Sequence, residues 1–350
     1  MSYQRPSFRH PEAPTNELGY TRKDYEGSIS TLCAGCGHDS ISASIIEACF
    51  QLPLAPHRIA KLSGIGCSSK TPAYFLGRSH GFNSVHGRMP SVATGASLAN
   101  RELVYIGVSG DGDSASIGMG QFAHVVRRNL NMSYIVENNG CYGLTKGQDS
   151  ATADRGSKSK KGAANPYESI DLASLAIQLG ASFVARSFSG DRTQLVPLIK
   201  AALSHRGFAL LDVISPCVTF NNHEGSTKSY VHVRETGDFV PVDFVPLREE
   251  IRTDYAPGDT RDVAMHDGSR LRLHKPAGQD HDVEDPQAAL AAIAAHQREG
   301  KVLTGLLYID RDAPDLHEVL GTCRRPLNSL AEKDLCPGSK VLDSVNAGLR

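Results

Sequence analysis

An apolar run ending in a glycine-aspartate turn constrains the fold of this 350-residue chain more than any other feature. Residues 103–108 read LVYIGV, a pattern typical of a strand buried on both faces. Apolar residues then recur at helical spacing over 121–130, and residues 132–136 form a second apolar strand. Because such strand and helix patterns alternate from about residue 31 to 217, the sequence predicts an α/β fold with a mostly parallel sheet covered by helices on both faces.

Three regions differ in their patterns. Residues 1–28 are polar and proline-containing, which predicts an N-terminal arm, and residues 29–232 form the main domain. Residues 233–350 are richer in Pro, Asp and Arg, and contain a helix over 286–297 and a strand over 303–309, which predicts a C-terminal extension. Within the main domain, the polar stretch 148–165 is expected to be a mobile or partner-covered loop.

Composition excludes several classes of protein. The 37 basic and 38 acidic residues nearly cancel, so bulk positive charge cannot drive nucleic-acid binding. The sequence has no apolar run of bilayer length and no apolar signal segment near its first residues, so we expect a cytoplasmic protein that does not bind membranes. Eight cysteines in a cytoplasmic chain indicate ligands or buried thiols rather than disulfides.

A carboxylate and an amide follow the two predicted strands. Asp111 lies just beyond the first strand and Asn139 just beyond the second, 28 positions later. In a parallel sheet both strand ends open on the same crevice, where ligands of α/β folds bind. Carboxylate, amide and backbone carbonyl oxygens suit Mg²⁺ that also binds phosphate oxygens. Glycines around Asp111, at 110, 112, 118 and 120, would let the backbone approach a diphosphate at the following helix N-terminus.

Four cysteines lie at the predicted ends of elements. Cys33 and Cys36 form a C-x-x-C at a helix start, Cys67 lies in a glycine-flanked loop, and Cys217 follows an apolar strand. Four thiolates from such loops can hold an iron–sulfur cluster or a zinc ion, and the lack of a second cysteine pair favours iron–sulfur. A redox dithiol at the C-x-x-C is an alternative, although no thioredoxin-like strand precedes it. Cys49 is interpreted as a buried thiol and Cys141 as a residue that contributes only its backbone. Cys323 and Cys336 are interpreted as free thiols.

The ordered motifs together resemble a known family. C-x-G-C-G, GIGCSS, HGR with ATGASLAN, GDGD, NNGCYGLTKGQ and SPCVTFNN are similar to the β subunit of 2-oxoacid:ferredoxin oxidoreductases, most closely the 2-oxoglutarate class. The resemblance covers about residues 30–230, with a looser match at MHDGSRLRL and TGLLYID. GDG followed by NN also resembles the thiamine diphosphate signature, so the resemblance implies a thiamine-diphosphate-binding fold.

The resemblance implies a role for each matching residue. Asp111, Asn139 and the backbone carbonyl of Cys141 would hold magnesium. One 4Fe-4S cluster would be bound by Cys33, Cys36, Cys67 and Cys217. The resemblance places Lys70 and Lys146 near the 2-oxoacid. His38 is given no role in the site, and its expected role is to cap its helix. Thiamine diphosphate would be contacted by Ile65, Gly66, Cys67, Ser68, His86, Gly112, Asp113, Gly143 and Leu144.

The implied activity is the coenzyme A-dependent oxidative decarboxylation of a 2-oxoacid, 2-oxoglutarate to succinyl-CoA or the reverse, with electrons passed through the cluster to ferredoxin. This chain lacks a second thiamine-type domain, which in the family lies on another subunit. We therefore expect it to be inactive alone and to work with an α subunit as a heterodimer of dimers.

Three alternatives remain open. A pyruvate or broad 2-oxoacid enzyme differs only in substrate, and Lys146 alone favours the larger substrates by resemblance. A thiamine-dependent decarboxylase or synthase without electron transfer would share the GDG signature but has no use for four converging cysteines. A zinc-stabilised scaffold or binding subunit with a degenerate cofactor site is disfavoured by the intact Asp111 and Asn139.

Overall fold

The computed structural model describes residues 10, 12–156, 164–218, 249–265, 270–278, 281–336 and 338–349. The predicted boundary after residue 232 lies outside these ranges, as do most of the first eleven residues and the second half of the SPCVTFNN motif. The predicted domain limits therefore stay predictions.

A seven-stranded sheet forms the centre of the molecule, in the order β12-β7-β8-β4-β3-β1-β2. All neighbouring strands are parallel except β12, which pairs antiparallel to β7 at one edge. This confirms the predicted mostly parallel sheet. The strands of the main sheet are β1 Ile59–Ser63, β2 His80–Asn83, β3 Val104–Gly110, β4 Met132–Asn138, β7 Phe183–Phe188, β8 Phe208–Ile214 and β12 Gly305–Ile309.

Helices cover both faces of this sheet because its central strands are apolar on both sides. In β4, Tyr134 and Val136 pack into one core and Ile135 into the other. The first core also contains side chains of α2, α3, α4 and α6, and the second those of α1 and α5. The helices are α1 Gly37–Gln51, α2 Met89–Ala99, α3 Met119–Arg127, α4 Leu172–Gln178, α5 Arg192–Ser204, α6 Pro286–Arg298, α7 Leu316–Leu320, α8 Glu332–Leu335 and α9 Ser339–Gly348.

The C-terminal extension completes the main sheet instead of standing apart from it. The predicted strand over 303–309 is split: β11 Val302–Leu303 pairs with β10 Arg270–His274 in a small sheet, and β12 pairs with β7. The small sheet also contains β9 Thr260–Ala264. The Lys275 ammonium lies 2.7 Å from the Asp191 carboxylate at the N-cap of α5, so a buried ion pair joins the extension to the main domain.

The polar stretch after residue 147 differs from its prediction. Strand β6 Gln148–Asp149 pairs with β5 Cys141–Tyr142, and both Ser150 and Ala153 are buried. The prediction of a mobile or partner-covered loop is therefore wrong for residues 148–153, because polar groups of this segment bond to a buried carboxylate. Residues 157–163 lie outside the described chain.

Among the residues that the structure describes, no helix combines the length and apolar character needed to cross a bilayer.

Candidate functional site

The carboxyl ends of β3 and β4 bring Asp111 and Asn139 together. Both residues are buried, and the Asn139 N–H donates to Asp111 Oδ1 at 3.2 Å. The Cys141 N–H in turn donates to Asn139 Oδ1 at 3.1 Å, which fixes the turn that carries the Cys141 backbone. The two adjacent parallel strands thus place three oxygen-bearing residues at one edge of the sheet, as expected for a crevice at strand ends.

Two hydroxyl groups hold the Asp111 carboxylate from behind. The hydroxyls of Ser150 and Thr152 both donate to Oδ2, the latter at 2.7 Å. Burial raises the pKa of Asp111, while the hydrogen bonds from Ser150, Thr152 and the Asn139 N–H lower it. Sequence reasoning missed both hydroxyls, and the only available signal was the concentration of Ser and Thr just after Gln148.

Asp113 joins two loops and one strand. Its Oδ1 accepts the Gly87 N–H at 2.8 Å, and its Oδ2 accepts the Ser109 hydroxyl at 2.8 Å and the Ile65 N–H at 3.3 Å. A Cβ at Gly64 would collide with this carboxylate, so the close approach of the loop requires glycine. The sequence placed Asp113 against a diphosphate, whereas the structure engages both of its oxygens within the protein. Contact with a diphosphate remains a prediction for this residue.

A single cavity of about 500 Å³, part of it open to solvent, collects most of the predicted site. Its lining includes every residue predicted for magnesium or thiamine diphosphate: Ile65, Gly66, Cys67, Ser68, His86, Asp111, Gly112, Asp113, Asn139, Cys141, Gly143 and Leu144. Gly110, one of the glycines expected to let the backbone approach a diphosphate, also lines the cavity, and the lining residues not assigned to the site from the sequence are His38, Glu137, Tyr142 and Thr145.

A buried glycine, Gly112, forms part of the cavity lining beside Asp111. Tyr142 Oη donates to the Gly112 carbonyl at 2.9 Å, and a Cβ on Gly112 would collide with the Tyr142 ring. Gly112 also begins a π-helical turn, Gly112–Ile117, that leads into α3. Hard oxygen ligands beside a side-chain-free backbone turn fit a magnesium-diphosphate group.

The thiols approach the same cavity from three segments. Cys36 is the N-cap of α1, Cys67 lines the cavity, and Cys217 follows β8. Burial raises the pKa of the Cys36 thiol and of the Cys67 thiol, and Cys217 raises both further. Cys33 also raises the pKa of Cys67.

All eight cysteines lie in the described ranges, and none forms a disulfide. Over those ranges, no three Cys, His, Asp or Glu side chains stand close enough together to coordinate an ion. The described residues therefore do not arrange the four thiols as a ligand sphere, and their grouping around one cluster stays a prediction. Their soft sulfur donors suit an iron–sulfur cluster at this position. Cys49 is buried, as expected, and Cys323 and Cys336 are exposed.

A buried acid and a buried imidazole lie between the thiols and the sheet. Glu137 Oε2 is 3.6 Å from His38 Nδ1, which lies 2.6 Å from the Ser215 hydroxyl. Burial raises the pKa of Glu137 well above its usual range and lowers the pKa of His38 to about 4. The idea that His38 caps its helix is wrong, because its side chain reaches Ser215 and makes no cap hydrogen bond. The sequence analysis did not single out Glu137, which directly follows the predicted strand 132–136.

The two lysines predicted near the 2-oxoacid are not in the cavity lining. Lys70 and Lys146 are both exposed. The Lys70 N–H donates to the Cys67 carbonyl at 3.1 Å, and Lys146 follows Thr145, which lines the cavity. Lys146 has φ +81°, a backbone conformation that costs energy for any residue with a Cβ. The roles of both lysines stay predictions.

Comparison with known proteins agrees with this geometry. Residues 64–213 match the family model of the thiamine pyrophosphate enzyme C-terminal TPP-binding domain. The 2-oxoglutarate synthase subunit KorB of Methanothermobacter marburgensis is 34% identical over 241 residues, which cover 68% of this chain and 81% of that one. The β subunit of 2-oxoacid:ferredoxin oxidoreductase from Sulfolobus sp. is 42% identical over 191 residues, but the match spans only 63% of that subunit and 54% of this chain.

A solved structure is also similar. It is the 2-oxoglutarate:ferredoxin oxidoreductase from Magnetococcus marinus with 2-oxoglutarate, coenzyme A and succinyl-CoA bound. The likeness has a TM-score of 0.69 at 31% identity, and covers 93% of this chain and 97% of that one. With the TPP-domain match and the cavity at the ends of β3 and β4, this similarity establishes that the chain belongs to the β-subunit family of the 2-oxoacid:ferredoxin oxidoreductases.

Proposed function

We propose that this chain is the β subunit of a 2-oxoglutarate-type 2-oxoacid:ferredoxin oxidoreductase that works with an α subunit as a heterodimer of dimers. The reaction is the coenzyme A-dependent oxidative decarboxylation of 2-oxoglutarate to succinyl-CoA, or its reverse, with ferredoxin as electron carrier. The observation that carries this proposal is the convergence of the predicted magnesium ligands and of Cys67 on the same cavity.

Each group has residues suited to it. Asp111, Asn139 and the Cys141 carbonyl would hold Mg²⁺, with the backbone around Gly112 facing the diphosphate. Thiamine diphosphate, when bound, supplies the electron sink for breaking the bond between the 2-oxo carbon and the carboxylate. One 4Fe-4S cluster would be held by Cys33, Cys36, Cys67 and Cys217, beside the cavity wall that Cys67 forms.

Among the described residues, the carboxylates that line the cavity are those of Asp111, Asp113 and Glu137, and all three are buried. Asp111 and Asp113 accept hydrogen bonds from within the protein, and Glu137 lies 3.6 Å from His38. As the family resemblance implies, the glutamate that activates the cofactor would come from the α subunit, which makes the isolated chain inactive. A cytoplasmic location is part of this proposal, because cysteines that serve as cluster ligands rather than disulfides are typical of that compartment.

The test is to purify the chain anaerobically, alone and with its α subunit, and to measure coenzyme A-dependent reduction of ferredoxin. We expect the complex to turn over 2-oxoglutarate faster than pyruvate, and the single chain and an Asp111→Ala complex to be inactive. Faster turnover of pyruvate would make the enzyme a pyruvate or broad 2-oxoacid type. Decarboxylation without ferredoxin reduction, in protein lacking iron and sulfide, would instead indicate a thiamine-dependent decarboxylase.

A further inference from the structure

A chain of hydrogen bonds leads from Asp111 into the interior of the sheet. Thr152 Oγ1 lies 2.7 Å from Asp111 Oδ2 and 3.1 Å from Asn138 Oδ1. Asn138 Nδ2 then donates to Asp212 Oδ1 at 3.0 Å. Residues from four segments therefore connect the carboxylate at the cavity to the buried strand β8.

The inner end of this chain is a buried ion network. Arg186 Nε donates to Asp212 Oδ2 at 2.9 Å, and its Nη2 donates to Asp171 Oδ2 at 2.7 Å. Arg186 and Asp212 are directly opposite each other on β7 and β8, and both are buried. Asp171 also accepts the Ser174 N–H as the N-cap of α4. A planar guanidinium held between two carboxylates has little freedom to move, so it is a rigid anchor.

The anchor sets the orientation of Asn138. A carboxylate such as Asp212 only accepts hydrogen bonds, so the NH₂ group of the Asn138 amide must face it. The amide oxygen is then directed at Thr152, whose hydroxyl has one proton and two acceptors within reach. The ionised Asp111 is the stronger acceptor, because charge-assisted hydrogen bonds are about twice as strong as neutral ones.

We propose that Ser150 and Thr152 are positioning residues of the magnesium site, because both hydroxyls donate to Asp111 Oδ2 and fix its carboxylate. The Asn138 amide, which Asp212 orients, lies beside the Thr152 hydroxyl at 3.1 Å. The inference rests on the proposed function, since it assigns Asp111 to magnesium. Residues that orient metal ligands through hydrogen bonds commonly change metal affinity about 10–100-fold when they are replaced.

Other contacts hold the same loop without using these hydroxyls. The Ala151 N–H donates to the Ser116 hydroxyl at 3.1 Å, and the Ser169 hydroxyl donates to the Thr152 carbonyl at 2.9 Å. The Ile170 N–H also donates to the Ala151 carbonyl at 2.8 Å. A substitution can therefore remove the hydroxyl that donates to Asp111 without removing the contacts that hold residues 151–152 in place.

The experiment measures Mn²⁺ binding, by the electron paramagnetic resonance signal of free Mn²⁺, to the complex of this chain and its α subunit with saturating thiamine diphosphate. Thr152→Val, which keeps the shape and removes the hydroxyl, is expected to weaken Mn²⁺ binding about 10–100-fold. Thr152→Ser keeps the hydroxyl and should bind Mn²⁺ like the wild type. Ser169→Ala, the matched control, loosens the loop backbone and should also bind normally.

Wild-type affinity in Thr152→Val, or equal weakening in Ser169→Ala, would overturn the assignment. If Thr152→Val does not fold, Ser150→Ala removes the other hydroxyl on Asp111 and carries the same expectation. A wild-type complex that binds no Mn²⁺ with thiamine diphosphate would overturn the proposed function itself. Normal wild-type binding with an unaffected Thr152→Val variant would overturn only the positioning role.

Discussion

Two parts of the candidate site are built in different ways. The metal wall consists of Asp111, Asn139 and Cys141, which line the cavity. The thiol wall consists of Cys33, Cys36, Cys67 and Cys217, and of these Cys67 lines the cavity. The metal wall begins at the ends of two adjacent buried strands, and hydrogen bonds to Asp111 already fix its carboxylate. The thiol wall is drawn from three separate segments, and its members range from exposed to half-buried.

This difference has an electrostatic cause. The hydroxyl and N–H donors around Asp111 compensate a buried negative charge before any cation arrives. On the thiol wall, burial and the neighbouring sulfurs raise the pKa of Cys36 and of Cys67, which favours the neutral form of these two thiols. The metal wall is therefore preorganised, whereas the thiol wall needs the positive charge of its ligand to become a coordination sphere.

The largest expected effect tests whether the walls are independent. Cys217→Ser removes one sulfur ligand, and we expect loss of the bound iron and sulfide, of the brown absorbance and of ferredoxin reduction. Magnesium and thiamine diphosphate binding should persist, because Cys217 is not among the residues that line the cavity. The measurements are iron and sulfide analysis together with Mn²⁺ binding.

Cys323→Ser is the control for this variant, since Cys323 is an exposed thiol outside both walls. A full iron content in Cys217→Ser would remove Cys217 from the ligand set. Loss of Mn²⁺ binding along with the iron would show that the walls depend on each other.

The next effect concerns the anchor behind the metal wall. Arg186→Met leaves Asp171 and Asp212 buried without their shared cation, so the free energy of unfolding should fall by about 3–5 kcal/mol. Urea denaturation of the full chain measures the change. Arg272→Met, which breaks the exposed pair with Asp262, should cost no more than about 1 kcal/mol. An equal decrease in the free energy of unfolding in the two variants would mean that the buried Arg186 network stabilises the fold no more than an exposed ion pair does.

A smaller effect is expected at the cavity mouth. Lys146→Gly removes a charge where φ is +81°, a conformation that glycine adopts without strain, so folding should be little affected. If Lys146 pairs with the second carboxylate of 2-oxoglutarate, the KM for this substrate should rise about tenfold or more, while that for pyruvate should not. Steady-state kinetics of the complex measure both, with Lys146→Arg as the charge-retaining control. Parallel changes for the two substrates would contradict the pairing.

The smallest effect concerns support for the thiol wall. Lys61 Nζ donates to the carbonyls of Phe75 and Leu76, just beyond the short helix that follows Cys67. Burial lowers the pKa of Lys61 from 10.5 to about 8. Between these pH values the unfolded chain binds a proton that the folded chain has released, so this lysine makes stability rise with pH in that window.

Lys61→Met should remove that rise. The free energy of unfolding in urea is measured for the wild type and the variant at pH 8 and pH 10. The contribution of Lys61 is the difference between the two proteins in how this free energy changes with pH, because all other titrating groups are common to both. An identical pH dependence in both proteins would contradict the lowered pKa of Lys61. It would mean that the Lys61 ammonium group is not desolvated where it contacts the segment after Cys67.

Some of this architecture was accessible from local patterns. Continuous apolar runs predicted the central strands because parallel strands are buried on both faces, as the two cores on either side of β4 confirm. The closeness of Asp111 and Asn139 was also predictable, because neighbouring parallel strands end at the same edge of the sheet. The split of residues 302–309 between two sheets was not predictable, since both halves are apolar and only their pairing partners differ.

The sequence by itself determined which residue types stand at the strand ends and in the cysteine loops, because those positions depend on periodicity and spacing along the chain. Only the tertiary structure decided how they are held. Asp113 accepts a hydrogen bond from the loop at Gly87, and the Thr152 hydroxyl lies within hydrogen-bond distance of both Asp111 and Asn138. The physical reason is that a hydrogen bond depends on distances of about 3 Å between atoms that are far apart in the chain, and no local pattern encodes such distances.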